Sequence, residues 1–217
     1  VLRKIPVLFM TDRKKENGYT LVALLALMSI MALFAVAAAP KVRQQAQRDR
    51  EAEEIFRGEQ MADAIRIYYL NHGGTPPQSL PTTVEQLQEG ITKGTRKVQI
   101  LRPSAARDAL STSGEWRLIA PQAQELLNFE ESVAIFAGGF PPRPRDTSIA
   151  RLQDASVPRL AGVLNTKSKE AAPGGEDTTP STSGPFVGVA SRSRRNAVIN
   201  YYGIDRHDYW IFTPLFR

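Results

Sequence analysis

The stretch Gly18-Tyr-Thr-Leu-Val-Ala-Leu-Leu-Ala-Leu-Met-Ser-Ile-Met-Ala-Leu-Phe-Ala-Val-Ala-Ala-Ala-Pro40 decides how the rest of the chain is read. Tyr19 to Ala39 carries no charge, and about 20 residues rising roughly 1.5 Å each can cross a hydrocarbon core about 30 Å thick. In front of it stands Arg13-Lys14-Lys15-Glu16-Asn17, a cluster that water or lipid headgroups can hold and the bilayer interior cannot. The pattern predicts a membrane helix. Val36 to Ala39 offer the small residues a signal peptidase requires, but the run exceeds the roughly 7–15 apolar residues of a signal peptide, and Pro40 disfavours a cut after Ala39. A retained helix is the stronger reading, and a plain single-span anchor is one form of it.

The junction Lys14-Lys15-Glu16-Asn17-Gly18-Tyr19-Thr20-Leu21 resembles the prepilin processing site of type IV pilins and type II secretion pseudopilins: basic residues, a glycine, an aromatic residue, Thr-Leu and an uninterrupted apolar helix. The resemblance implies cleavage between Gly18 and Tyr19 on the cytoplasmic side, N-methylation of Tyr19 and retention of the helix. Thr20, Leu21, Ala23 and Pro40 then belong to the assembly helix, and many members carry a proline near the position of Pro40. Ala23 departs from the pattern, because the family usually has a glutamate there, assigned to pairing with a neighbouring subunit's amino terminus. That points to a minor or tip subunit rather than the bulk one.

With 217 residues, 42% of them hydrophobic, the chain can support one membrane helix and one modest domain. It has no cysteine, which excludes a disulfide framework, a Cys-ligated zinc site and a cysteine nucleophile. Of the net charge of +6, the first 18 residues account for +3 through Arg3, Lys4, Arg13, Lys14 and Lys15 against Asp12 and Glu16. The remaining +3 is too mild to argue for nucleic acid. Lys41, Arg43, Arg48 and Arg50 follow the span, so charge alone sets its orientation weakly. Met10 is a candidate translation start, since Met10 to Gly18 makes a short hydrophilic leader.

Beyond Pro40 the residues remain good helix formers, and Ile55, Met61, Ala62, Ile65, Tyr68 and Tyr69 recur at helical spacing as one apolar face. Asn71, Gly73, Gly74, Pro76 and Pro77 end the pattern. This predicts one kinked helix from Tyr19 to Asn71; the alternative is two helices joined near Pro40. The Ala64-Ile-Arg-Ile-Tyr-Tyr69 phrase, its glycine turn and its prolines also resemble pseudopilin-like proteins. A short helix is expected over Thr82–Gly90, with Thr82 and Glu85 at capping-box spacing.

Gly114 to Ile119 alternates as a strand with Trp116 and Leu118 facing the core. Leu126 to Phe136 forms one further element of open type, and Gly138 to Arg145 forms a loop with solvated arginines. Asn165 to Gly184 is low in complexity and nearly devoid of large apolar residues, which predicts a flexible loop. Pro185–Ser191, Ala197–Tyr202 and Asp208–Thr213 read as consecutive strands of an antiparallel meander, with Arg192–Asn196 and Gly203–His207 as turns. These endings too resemble pseudopilin-like proteins. The resemblance covers the first 90 residues well, the last 30 moderately and the middle hardly at all.

The expected fold class is α+β, a long amino-terminal helix on a small antiparallel sheet, as in pilins. Its divisions are a leader at 1–18, a membrane half-helix at 19–40, a periplasmic half-helix at 41–74 and a globular domain at 75–217. No catalytic motif, cofactor motif or metal-ligand spacing stands out. Asp205 and Asp208 supply far fewer than the six to eight oxygens calcium takes, and Ser191 to Arg195 is a weak phosphate signal.

The implied function is that of a non-enzymatic pseudopilin subunit of a type II secretion or related machine. It would sit as a single pass in a bacterial inner membrane with its C-terminal domain in the periplasm. Its implied partners are other pilin subunits, the prepilin peptidase and the inner-membrane assembly platform. The alternatives are a signal-anchored periplasmic binding module and a competence pseudopilin for DNA uptake, with a periplasmic enzyme further behind.

Overall fold

A computed structural model describes residues 19–140, 142–144, 146–157 and 184–216. The leader, Met10 and Gly18 included, lies outside them, as does the low-complexity stretch 165–184 apart from Gly184. The class is α+β: among the described residues there are a long amino-terminal helix, three shorter α-helices and three small antiparallel sheets rather than one. The chain falls into two units divided after Gln45.

Helix α1 spans Tyr19–His72 as one element of 54 residues with Pro40 inside it. It stops where Gly73 and Gly74 take positive φ, at 60° and 102°, and the Gly73 amide donates to the Tyr69 carbonyl at 3.2 Å to close the last turn. In the second unit the predicted face is the buried one. Met61, Ala62, Ile65 and Tyr69 are buried, and Ile55 and Tyr68 pack partly buried against the core. The buried stripe also takes in Glu51, Glu54 and Gly58.

Helix α2 (Val84–Glu89) follows, without the expected capping box. Gln86, not Glu85, reaches back, its Oε1 accepting from the Thr82 amide at 2.8 Å. An unforeseen hairpin comes next, β1 (Ile91–Lys93) with β2 (Arg96–Val98), solvent-exposed except at Ile91. β3 (Arg117–Ile119) buries Ile119 and leaves Leu118 half-buried, while Trp116 is buried just ahead of the strand. The inward residues are thus Trp116 and Ile119 rather than Trp116 and Leu118. The reason is that Trp116 precedes the strand and is placed by its own bond, its indole Nε1 donating to the Ala105 carbonyl at 3.0 Å.

The element of open type is helix α3 (Gln124–Phe136), burying Leu126, Phe129 and Val133. Helix α4 (Thr147–Ser156) was not foreseen; the Asp146 side chain caps it by accepting from the Ser148 amide at 2.9 Å.

The carboxy-terminal meander is corrected. β4 (Gly188–Ala190) lies between β3 and β7 (Ile211–Phe212), all antiparallel, with Leu118 opposite Val189 and Val189 opposite Phe212. β5 (Asn196–Tyr201) instead pairs with β6 (Ile204–Arg206), in the stretch expected to be a turn. A two-residue connection, Tyr202-Gly203 with φ of 50° and 78°, makes that hairpin the nearer solution. A 3-10 turn at His207–Tyr209 then carries the chain to β7.

Phe212 lies against α1 at Gly58, where an added Cβ would fall on the Phe212 ring itself. Gly58→Ala is expected to destabilise the domain by about 1–3 kcal/mol, measured by denaturant unfolding, and pairing it with Phe212→Leu should recover part of the loss.

Candidate functional site

The expected assembly positions lie on α1 in the first unit, except Gly18. Tyr19 is the first described residue and is 81% exposed. Thr20, Leu21, Ala23 and Pro40 are exposed on the same helix, as are Leu24, Leu27, Met28, Met31 and Phe34. The most apolar window of this helix has none of its residues buried, and by length and composition it can cross a membrane. Ser29 within this stretch is satisfied locally, its Oγ donating to the Leu25 carbonyl at 2.8 Å. At position 23 a methyl group stands where a carboxylate would supply charge.

The second unit holds a polar cluster that the sequence reading missed. The Glu51 carboxylate, fully buried, accepts from the Val198 amide through both oxygens at 2.9–3.0 Å and from the Ile199 amide at 2.7 Å. Gln47 Nε2 donates to it at 2.7 Å, and His207 Nε2 lies 3.0 Å away. Burial raises this carboxyl's pKa, but the backbone and side-chain donors outweigh burial and hold it below the ordinary value.

On its other ring nitrogen, His207 Nδ1 is 3.2 Å from Ser193 Oγ. Serine, histidine and glutamate are thus in series, the order of a hydrolytic relay. Ser193 and His207 are each 2% exposed and Glu51 is 0%, so no substrate reaches the hydroxyl in this structure, and the series ties the elements together.

One turn along α1, Glu54 is also buried, and its Oε2 accepts from the Ala109 amide at 2.7 Å while Oε1 has no hydrogen bond. Burial, together with the nearby Asp108 carboxylate, pushes Glu54 up to about 10. Asp108 itself accepts from the amides of Leu110, Ser111 and Arg192 and from Ser191 Oγ, at 2.7–3.1 Å. The turn expected over Arg192–Asn196 is therefore corrected at its start. Ser191, Arg192 and Ser193 are buried because they serve Asp108 and His207.

A signal was present, since Glu51, Glu54, Gly58, Met61 and Ile65 repeat at alternating spacings of three and four along one face. Reading the glutamates as mere helix formers hid it. Asp208 is held by Arg206, with Nε at 3.1 Å and Nη2 at 2.7 Å, while Asp205 is exposed. Among the described residues no three His, Cys, Asp or Glu side chains are grouped to hold a metal.

The chain matches no family model, no curated protein and no solved structure.

Because Glu54 keeps its proton when folded but ionises near the ordinary carboxylate value when unfolded, its contribution is full below about 4.5 and is lost as pH rises toward about 10. Glu54→Gln is therefore expected to flatten the fall in stability across that window, where the slope is up to about 1.4 kcal/mol per pH unit. Denaturant midpoints of the two proteins at pH 5, 7 and 9 measure it.

Proposed function

We propose that this chain is a non-enzymatic, membrane-anchored pilin-like subunit, a pseudopilin of a type II secretion or related fibre machine. The observation that supports the reading best is the fully exposed apolar surface that begins at Tyr19, on the same helix that supplies core residues to the second unit. Such a surface has to be covered by lipid before assembly and by neighbouring helices afterwards.

The mechanism is packing: the prepilin peptidase cuts between Gly18 and Tyr19, and the new amino group is methylated. An inner-membrane platform then brings the apolar helices of many subunits together, with the α+β domains outside. Ala23 offers no carboxylate to a neighbour's amino terminus, which favours a minor or tip position. In this reading the second unit lies in the periplasm.

The amino terminus of the membrane-extracted protein, determined by mass spectrometry, tests the processing step. Methylated Tyr19 is the expected start, and Gly18→Ala should leave the leader attached. A start near Ala39 would overturn the proposal, and an uncut leader would favour a plain anchor. Assembly is tested by co-purification with other pilin subunits. Leu27→Arg, near the middle of the span, is expected to cost about 2.5–3.5 kcal/mol of insertion, read as a lower carbonate-resistant membrane fraction.

A further inference from the structure

The β5–β6 hairpin is irregular in a way that makes α1 part of its hydrogen bonding. Asn196 is opposite Arg206 and Tyr201 opposite Ile204, so residues 197 to 200 of β5 face a single residue, Asp205, on β6. A bulge of this size leaves backbone groups without a ladder partner. The amides of Val198 and Ile199 turn to the Glu51 carboxylate on α1, and Gln47 Nε2 bridges from that carboxylate to the Asn196 carbonyl at 3.0 Å. A side chain thus substitutes for the missing strand. The hairpin pairs with no other strand among the described residues.

Its remaining ties lie elsewhere. Tyr201 packs at a tilt against Trp210 and Phe212, and Trp210 Nε1 donates to the Ile204 carbonyl at 3.0 Å. The His207 amide donates to the Arg195 carbonyl at 3.2 Å.

We propose that the Glu51 carboxylate is an acid-released latch: protonating it frees the bulge of β5 from α1, while the aromatic anchors and the apolar core stay in place. A carboxylate accepts all these donors because every lone pair is available. Once protonated, one oxygen becomes a donor facing other donors, and the contacts cannot all be kept.

The titratable and charged groups around it are His207 in direct contact, the Arg206–Asp208 ion pair next to that histidine in sequence, and Glu54 one turn along α1. Glu54 already carries its proton and adds nothing on acidification. The donors favour the ionised form of Glu51, so this contribution is present above the ordinary carboxylate value and is lost as pH falls through the lowered one. The latch therefore opens only in strongly acidic conditions, and its opening is local.

Hydrogen exchange of the full chain in detergent micelles, followed by mass spectrometry and normalised to intrinsic rates at each pH, reads this directly. Between pH 7 and pH 3, peptides covering 196–202 are expected to lose protection at least about tenfold, as losing charge-assisted hydrogen bonds implies. Peptides covering 61–69 and 210–213 should hold theirs. Glu51→Gln should exchange fast at 196–202 already at pH 7 and respond no further to acid.

Equal loss of protection across all these peptides would overturn the proposal. So would an acid response that persists in Glu51→Gln, or one that disappears only in His207→Gln. Should Glu51→Gln fail to fold, the comparison of peptides in the unaltered chain still decides.

Discussion

An ionised carboxylate buried in a protein interior is costly unless donors surround it. Glu51 meets that condition with donors from three places in the chain: Gln47 on its own helix, the Val198 and Ile199 amides of β5, and the His207 ring. Each of these would itself be under-satisfied without it. β5 would carry half-buried amides with no strand to pair, and the histidine would lose the acceptor that orients it toward Ser193. The geometry of the carboxy-terminal third thus depends on a residue in the middle of α1. Asp108 works in the same way one layer along, gathering amides from 110, 111 and 192. A third carboxyl, Glu54, accepts from the Ala109 amide beside Asp108, and its surroundings favour the protonated form.

The helical part of this design was legible in the sequence because periodicity reports burial directly. Met61, Ala62, Ile65 and Tyr69 stood out as a face, and the glycines after His72 marked its end. The strands were harder. β4, β5 and β7 lay where alternation and β-branched residues put them, yet which strand pairs with which depends on turns and bulges that local pattern does not encode. The tight Tyr202-Gly203 connection drew β5 into a hairpin with β6, which left β4 to pair with β3 and β7. Helix α4 had a readable start in Asp146-Thr147-Ser148 and a face at Ile149, Leu152, Gln153 and Ser156, but two of those four buried positions are polar, which hid the face from a search for apolar residues.

The polar cluster was hidden for a different reason. Acidic residues on a helix are usually solvated, and three arginines in a short Ser/Arg segment usually mark an exposed turn. Glu51, Glu54 and Ser191 become intelligible only when elements about 55 to 150 residues apart meet, since their partners are Val198, Ala109 and Asp108. Pairings of that range are invisible to any window of sequence. The expected assembly helix is the reverse case: its composition alone sets it apart, with no partner needed to recognise it.

The β1–β2 and β3–β4–β7 sheets are also notable for how little open edge they offer. The outer strands of the three-stranded sheet, β3 and β7, are three and two residues long, and the exposed β2 strand presents Arg96 and Lys97. Short and positively charged edges are poor templates for adding a foreign strand. A membrane surface or a fibre would hold many copies of this chain at high local concentration, where strand-to-strand growth into cross-β aggregates is the main hazard. With these edges short or charged, the β1–β2 and β3–β4–β7 sheets offer little template for strand addition, so close packing of copies would have to use other surfaces.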